Sequence, residues 1–233
     1  NRLHYSRTKQ EKTLSLRKLE QDRHLEREKE NMELYKGLGH DNPRVQFAAA
    51  SVLIERLNTY RGKIRRGDEL TESEKAEHPT IIFVLIAVIK ERAARVDPHK
   101  ALRKHIADHL VKALGAVVTK GGPSPKDSSS PLLPFDWQNA NLASVWWEGV
   151  DARHVDFYRA NFHEAGLAGA FLNDAVFYEA DLRRAVLKGA HLEGANFYGA
   201  KLHGARWDDA IFDGRTVWPD DFDPEKANLR LSD

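Results

Sequence analysis

The 233-residue chain contains no cysteine and no long apolar run. Without cysteine it forms no disulfide and holds no metal through thiolates, which is usual in a reducing compartment. Its longest apolar stretch covers nine residues, 81–89, whereas a transmembrane helix needs about 20. These absences exclude a disulfide-stapled fold and leave no candidate membrane span among the 233 residues.

The chain also has little net charge, only +1, but that charge is unevenly distributed. Residues 1–134 carry 26 basic and 18 acidic side chains, whereas residues 135–233 carry 10 and 17. A basic half followed by an acidic half suggests that the two halves have different partners. Alternatively, the charges only solvate the surface of each half.

What is present is a five-residue repeat that runs through residues 135–214 without insertion, in sixteen units. The third place of every unit but one holds leucine, phenylalanine or tryptophan. The first place is alanine in every unit from Ala160 to Ala210. Neither a helix nor a strand keeps two apolar places in phase over such a length. The period therefore predicts a solenoid, in which each unit buries its apolar places against its neighbours.

These units resemble the pentapeptide-repeat family, whose unit reads alanine, aspartate or asparagine, leucine or phenylalanine, then two polar residues. The units that match letter for letter are Ala140-Asn141-Leu142, Ala160-Asn161-Phe162, Ala180-Asp181-Leu182 and Ala195-Asn196-Phe197. The resemblance covers about a third of the chain. It implies a right-handed quadrilateral parallel β-helix of about four coils, with the first and third places pointing inward. Frequent glycine at the fifth place suits a chain that turns a corner there.

Coils of four units imply a second period of twenty residues, and aromatic residues recur at that spacing. The expected inward column is Trp137, Phe157, Phe177 and Phe197, and the expected outward column is Tyr158, Tyr178 and Tyr198. Carboxylates at the outward places are expected to be solvated and to titrate normally.

The first half of the chain predicts helices. Residues 1–37 read as an exposed charged helix, because residues 2–36 contain neither proline nor glycine. Residues 38–118 read as a helical domain. Its first helix begins at Asn42-Pro43 and ends before a loop over residues 61–68. The apolar face expected for this helix comprises Val45, Ala48, Ala49, Val52, Leu53 and Leu57.

The rest of this domain is predicted from caps and prolines. The capping box Thr71 to Glu74 begins a short helix, and Pro79 begins an apolar one that is buried all round. Pro98 begins another, with Leu102, Ile106, Leu110, Leu114 and Val117 on one face. Residues 119–134 are rich in glycine, proline and serine and predict a linker. Residues 215–233 predict a C-terminal cap and tail.

An uncapped coil would expose strand edges, so both ends of the solenoid need a cover. Trp218 and Phe222 are expected to cover the last coil. The helical domain, or Leu132-Leu133, is expected to cover the first.

The helical half resembles one HEAT-type repeat. The layout of the whole chain resembles a group of bacterial membrane-associated pentapeptide-repeat proteins, in which a hydrophobic segment comes first. The first eighteen residues carry six basic side chains and one acidic one, which fits the cytoplasmic flank of an upstream anchor. The resemblance implies a location on the cytoplasmic side of the bacterial inner membrane, with attachment through a segment that precedes Asn1. A solvated helix is the alternative.

No residue pattern predicts an enzyme. His105, Asp108 and His109 have a spacing that can hold zinc, but no third ligand is evident and Lys104 and Lys112 flank them. A polar helix face is the favoured interpretation, and we predict no metal, cofactor or catalytic residue.

We expect instead a non-enzymatic interaction or scaffold module with an unknown protein partner and no nucleic acid. The partner-binding candidates are Tyr158, Tyr178, Tyr198, Trp146, His163, Arg183 and His203. A tyrosine ladder that only stabilises the rod is one alternative. Another, from the family resemblance, is a DNA mimic that binds gyrase, although residues 135–214 carry only twelve acidic against seven basic side chains. The sequence leaves the oligomeric state open.

Overall fold

The structure, a computed structural model, describes residues 18–19, 22–23, 25–90, 100–114, 130, 132 and 135–232. Helices come first and a parallel β-helix follows. The helices are α1, helical through residues 25–38, α2 at Pro43–Arg65, α3 at Glu72–Lys90 and α4 at Lys100–Leu114. The basic residues 1–17, Pro98, Val117 and most of the predicted linker lie outside the described part of the chain.

Helix α2 begins where the sequence predicts. The Asn42 side chain accepts a hydrogen bond from the Arg44 N–H at 2.9 Å, and Pro43 occupies the first turn. The prediction of a loop from residue 61 is wrong, because the helix continues to Arg65. The helix continues through Gly62, because glycine keeps its backbone hydrogen-bonding groups and only lowers helix propensity by about 1 kcal/mol.

The buried face of α2 differs from the predicted one. Val45, Ala48 and Val52 are exposed, whereas Ala50 and Ile54 are buried. The stripe that packs on α3 and α4 is therefore rotated by part of a turn. Its members are Ala49, Ala50, Leu53, Ile54, Leu57 and Tyr60.

Helix α3 is one helix, where the sequence predicted two. The capping box is present: the Thr71 N–H donates to Glu74 at 3.0 Å and the Glu74 N–H donates to Thr71 Oγ1 at 3.2 Å. Pro79 lies inside the helix instead of starting a new one. A proline removes one hydrogen bond, and the apolar burial that follows it offsets that loss. The helix is not buried all round, because Phe83 is 60% exposed.

A polar network holds α1 against α2 and α3. The Arg56 guanidinium donates to Glu77 at 2.9 Å and to Glu30 at 2.8 Å. The Tyr60 hydroxyl donates to the same Glu77 at 2.7 Å, and burial raises the pKa of Tyr60. Nearer the start of α3, the buried Glu74 pairs with Lys63 at 2.6 Å. Within the described ranges, no helix is sufficiently long and apolar to cross a bilayer.

The solenoid has four faces, each defined by parallel bridges between residues about one coil apart. The first face joins Asn141, Asn161, Asp181 and Lys201, and the second joins Trp146, Gly166, Val186 and Arg206. The third joins Asp151, Phe171, His191 and Ile211, and the fourth joins Asp156, Val176, Asn196 and Val217. Successive members are twenty residues apart, except Asn196 and Val217, which are twenty-one apart. The period predicted from the sequence is confirmed.

Inside the rod, first-place and third-place residues are buried, as predicted. From Trp137 to Leu202 every one of them is at most 8% exposed. At the corners, all fifth-place residues from Asn139 to Asp209 adopt positive φ, between 54° and 73°. This set includes charged residues such as Arg159 and Glu179, for which the conformation costs about 1–2 kcal/mol. The corner therefore favours glycine but does not require it.

The inward aromatic column forms with one change. Phe157, Phe177 and Phe197 stack at 5.3 and 5.0 Å between centroids. Trp137 instead meets Trp147 edge-on at 5.5 Å. At the other end Trp218 stacks on Phe197 at 5.0 Å and so extends the column.

Each end of the rod is covered by different elements. At the first coil, the carbonyl of Ile89 in α3 accepts from the Asn141 N–H at 3.1 Å. The buried Leu132 accepts a bond from the Trp137 indole at 3.0 Å. At the last coil, β1 (Ile211–Phe212) pairs in parallel with β2 (Arg230–Leu231). A 3₁₀ helix, Pro224–Ala227, precedes β2.

Candidate interaction surfaces of the solenoid

The fourth face carries the tyrosine column. The rings of Tyr158 and Tyr178 lie 5.7 Å apart and those of Tyr178 and Tyr198 lie 5.4 Å apart. Each residue follows a bridged second-place residue by two, so the backbone register places the rings one strand spacing apart. The carboxyl of Asp156 and the amide of Asn196 each accept from the tyrosine N–H two residues later, at 2.9 Å. Tyr198 is the most exposed of the three, at 48%.

A charged pair borders this column at the neighbouring corner. The Arg159 guanidinium lies 4.8 Å from the centroid of the Tyr158 ring and bonds Glu179 at 2.6 Å. That hydrogen bond raises the pKa of Arg159. Val217, 42% exposed, continues the same face. The fourth face is thus an aromatic and aliphatic strip with a compensated charge at its edge.

The first face carries His163, Arg183 and His203, the candidate basic column. Arg183 is held by Asp181, with nitrogen–oxygen distances of 2.8 and 2.5 Å. Burial alone would raise the pKa of Asp181, but the hydrogen bonds from Arg183 lower it below its usual value. Because the charge of Arg183 is compensated, the column does not present an uninterrupted positive stripe.

On the third face, an aspartate likewise pairs with the arginine two residues later, but here the carboxylate is buried. Asp151 is only 4% exposed and accepts from Arg153 at 2.9 and 3.0 Å. The expectation that outward carboxylates are solvated and titrate normally is wrong at Asp151, which is buried, and at Asp181, whose pKa is lowered by its hydrogen bonds to Arg183 even though burial alone would raise it. The reason for the burial of Asp151 is the segment that reaches the first coil, where the Ser130 hydroxyl donates to the Asp151 carbonyl at 2.6 Å.

Trp146 lies on the second face beside α4. Its backbone N–H donates to the Asp108 carboxylate at 2.6 Å, and its indole side chain is 64% exposed. The neighbouring coil presents Gly166, where an added Cβ would lie 4.0 Å from the Trp146 ring, at ordinary contact distance. Trp146 is thus an exposed aromatic residue at the junction with the helices, separate from the tyrosine column.

One outward column was not predicted from the sequence. Phe171 and His191 stack on the third face at 4.9 Å with nearly parallel rings, and Ile211 follows in the same column. The twenty-residue spacing that identified the tyrosines applies equally to residues 171, 191 and 211. The spacing of this column was therefore present in the sequence, but its three residues differ in type and so do not stand out as a repeat.

His105, Asp108 and His109, whose spacing could hold zinc, each contact a different partner. His105 Nε2 lies 3.3 Å from the Ser51 hydroxyl, and His109 Nδ1 lies 2.8 Å from the His105 carbonyl. Asp108 bonds Lys104 at 2.5 Å and the Trp146 N–H. Across the residues the structure describes, no three histidine or acidic side chains come together as a metal site. Asp108 serves instead to join α4 to the first coil.

Comparison with known proteins identifies the repeat. The family profile described as "Pentapeptide repeats" matches residues 138–174 and 175–214, in eight copies. No curated protein matches the chain.

Three solved structures of pentapeptide-repeat proteins are similar to parts of the chain. Rfr23 from the cyanobacterium Cyanothece 51142 is 29% identical over 34% of this chain and 53% of its own, with a TM-score of 0.33. The protein alr5209 from Nostoc PCC 7120 is 30% identical over 40% of this chain and 84% of its own, with a TM-score of 0.24. AT2G44920 from the Arabidopsis thaliana thylakoid lumen is 31% identical over 34% and 58%, with a TM-score of 0.27. The match spans only about half the length of the Cyanothece and Arabidopsis proteins.

Proposed function

This chain belongs to the pentapeptide-repeat proteins, and we propose that it is a non-enzymatic interaction module that presents a rigid solenoid surface to a protein partner. The observation that carries this proposal is the stacked column of Tyr158, Tyr178 and Tyr198 on the fourth face. Aromatic residues held in fixed positions contribute large contact area at low entropic cost, and they are enriched at interface centres. In finer detail, we interpret the rod as about four coils and the helices as one HEAT-like repeat.

The test must separate binding from mere stabilisation of the rod. A photo-crosslinking residue at Tyr198 should capture one discrete protein in the bacterial cell, whereas the same residue at the exposed Lys188 of the second face should not. With the crosslinking residue moved to Val217, which bridges Asn196 on the same face, replacing all three tyrosines with alanine should abolish the capture. If the alanine variant lost thermal stability yet kept the partner, the column would be structural only.

We further propose that the protein works on the cytoplasmic side of the bacterial inner membrane. The excess of basic residues in residues 1–134 supports this location, since each basic residue near an anionic surface contributes about 1 kcal/mol. The chain should sediment with anionic vesicles at low salt, should leave them as salt screens the attraction, and should ignore neutral vesicles. Equal binding to both vesicle types, or to neither, would refute the proposal.

A DNA mimic that binds gyrase is the second candidate, and the charge distribution disfavours it. DNA carries one negative charge per about 1.7 Å of duplex axis. On this rod the acidic residues Asp151, Asp181 and Asp213 each pair with an arginine. Inhibition of DNA supercoiling by gyrase at sub-micromolar protein would put this candidate first.

A further inference from the structure

The last coil ends in an open strand edge on the first and second faces. One coil earlier, the N–H groups of Leu182, Arg184 and Leu187 donate to the carbonyls of the following coil at 2.9, 3.1 and 2.7 Å. The corresponding N–H groups of Leu202, Gly204 and Trp207 donate to no acceptor in the part of the chain that the structure describes. Among the residues that the structure describes, the ladder therefore stops there with its donors unpaired.

The carbonyl groups of this edge are equally unused. Ala180 and Ala185 accept from the N–H groups of Lys201 and Arg206, each at 2.9 Å. Their counterparts one coil later, Ala200 and Ala205, accept no hydrogen bond from any described residue. Such rows of unpaired groups are templates for pairing with another strand.

The chain closes the other two faces itself. On the fourth face the Val217 N–H donates to the Ala195 carbonyl at 2.9 Å, and on the third face the Arg230 N–H donates to Ala210 at 2.7 Å. Between these points the chain leaves the ladder and forms the 3₁₀ helix Pro224–Ala227. It thus passes over the end of the core and leaves the first and second faces unextended.

A groove of about 600 Å3 lies between this edge and the C-terminal segment. Its apolar lining includes Leu202, Trp207, Phe222 and Ala227. Phe222 packs on Trp207 at 5.4 Å and so forms the far wall. The groove is wide enough for an apolar side chain that points inward from an added strand.

The charges beside the edge favour acidic residues on such a strand. Lys201 on the first face is exposed and makes no ion pair with any described residue. Arg206 on the second face is exposed, with Asp208 at 3.7 Å. Side chains of an added strand would lie about 4.8 Å beyond these two, at a distance where opposite charges attract. Asp221 also lines the groove, which disfavours an acid pointing inward.

We propose that this open edge binds an extended peptide segment of a partner protein, in parallel register, with an apolar residue between two acidic ones. The register follows from the preceding coil. The first acid takes the place of Lys201 one coil on, donating to Ala200 and accepting from Leu202, while the apolar residue enters the groove. The second acid accepts from Gly204. After a glycine and an alanine, a third acid lies above Arg206 and satisfies Ala205 and Trp207.

The test uses a labelled synthetic peptide, Asp-Leu-Asp-Gly-Ala-Asp, and the full chain. The peptide should bind the chain, as measured by fluorescence anisotropy. It should also protect the amides of Leu202, Gly204 and Trp207 from hydrogen exchange. A peptide N-methylated at its last aspartate, whose N–H would donate to Ala205, should bind at least about tenfold more weakly, and so should one with lysine in place of every aspartate. Lys201→Glu should weaken binding by a similar factor, whereas Lys188→Glu, a matched exposed lysine on the second face, should not.

Three results would overturn the proposal. Equal binding of the N-methylated peptide would show that the backbone edge is not used. Protection of the three amides in the free protein at all concentrations would show that the edge is already closed. Protection that grows with protein concentration, without peptide, would assign the edge to a second copy of this chain.

Discussion

The strand edges and the core of the solenoid are covered by different elements at its two ends. At the first coil, the helices supply acceptors to the first and second faces: the Ile89 carbonyl for the Asn141 N–H and the Asp108 carboxylate for the Trp146 N–H. At the last coil, the chain's own C-terminal segment extends only the third and fourth faces. The first and second faces are therefore covered at one end and open at the other.

The comparison teaches that a solenoid need not close both ends equally. The first coil depends on the helices, whose contacts with it come from a helix-end carbonyl and from side chains rather than from a ladder. The last coil is covered by aromatic packing, with Trp218 on Phe197 and Phe222 on Trp218. Packing protects the core from water but leaves backbone groups unpaired. The end with free backbone groups is the one suited to a further strand.

Removing the tryptophan that links the helices to the first coil should have the largest effect. Trp147 is fully buried and its indole donates to the Ala107 carbonyl of α4 at 3.2 Å. Trp147→Ala should lower the free energy of unfolding by about 3–5 kcal/mol. Its counterpart Trp218→Ala should cost less, about 2 kcal/mol, because Trp218 is only partly buried and its indole nitrogen has no partner among the described residues.

Chemical denaturation of both variants measures this difference. Trp147→Phe serves as the control, because it keeps a ring in the core while it loses the bond to Ala107 and part of the indole volume. It should recover more than half of the loss. Equal losses for the two tryptophan-to-alanine variants would show that the ends are energetically equivalent and would contradict the comparison.

The repeat could be predicted from sequence because each unit is repeated sixteen times. The five-residue period predicts a solenoid, and the family resemblance adds the inward places and the four-unit coil, from which the twenty-residue spacing and the tyrosine column follow. The helical half offered no such redundancy. Pro79 predicts a helix start, but it lies inside α3 because tertiary burial beyond it outweighs the loss of one hydrogen bond. The buried face of α2 was misplaced because alanine and valine fit more than one stripe.

The junction could not be predicted, because it joins residues far apart in sequence. Asp108 and Trp146 are 38 residues apart, and no local pattern relates them. In the sequence, Asp108 is instead part of a spacing with His105 and His109 that can hold zinc. The open edge was also hidden, since the repeat continues to residue 214 while the following chain extends only two faces.

Breaking the hydrogen bond at the junction should have an intermediate effect. Asp108 accepts from the Trp146 N–H at 2.6 Å and from Lys104 at 2.5 Å. Asp108→Ala should destabilise the protein by about 1.5–3 kcal/mol, as expected for a hydrogen bond to a charged group, and should speed exchange of the Trp146 amide. Asp108→Asn, which keeps an acceptor, should lose less. Asp68→Ala, which breaks only the exposed pair with Arg66, should change stability little; a comparable loss there would contradict the assigned role.

The smallest effect should come from mild acid, and it should act on the first coil alone. Burial lowers the pKa of His105 in α4, with the neighbouring His109 as a second cause, and burial also lowers the pKa of His78 in α3. Their folded pKa values lie below the unfolded value of about 6.5, so the unfolded chain binds more protons as the pH falls through that range. Stability from these groups is fully present above the unfolded pKa and is lost below it.

The last coil titrates in a different window. Burial alone would raise the pKa of Asp213, but its hydrogen bonds lower it below the usual carboxyl value, and hydrogen bonds lower the pKa of Asp223 likewise. The contribution of these two groups to stability therefore persists until the pH falls through that lower range. Between pH 7 and about 5.5, the protection factor of the Trp146 amide should therefore fall, while that of the Arg230 amide should hold. Replacing His78 and His105 together with glutamine should remove the difference, and His203→Gln at the far end should leave it. Equal loss of protection at Trp146 and Arg230 would show that acid does not distinguish the two ends.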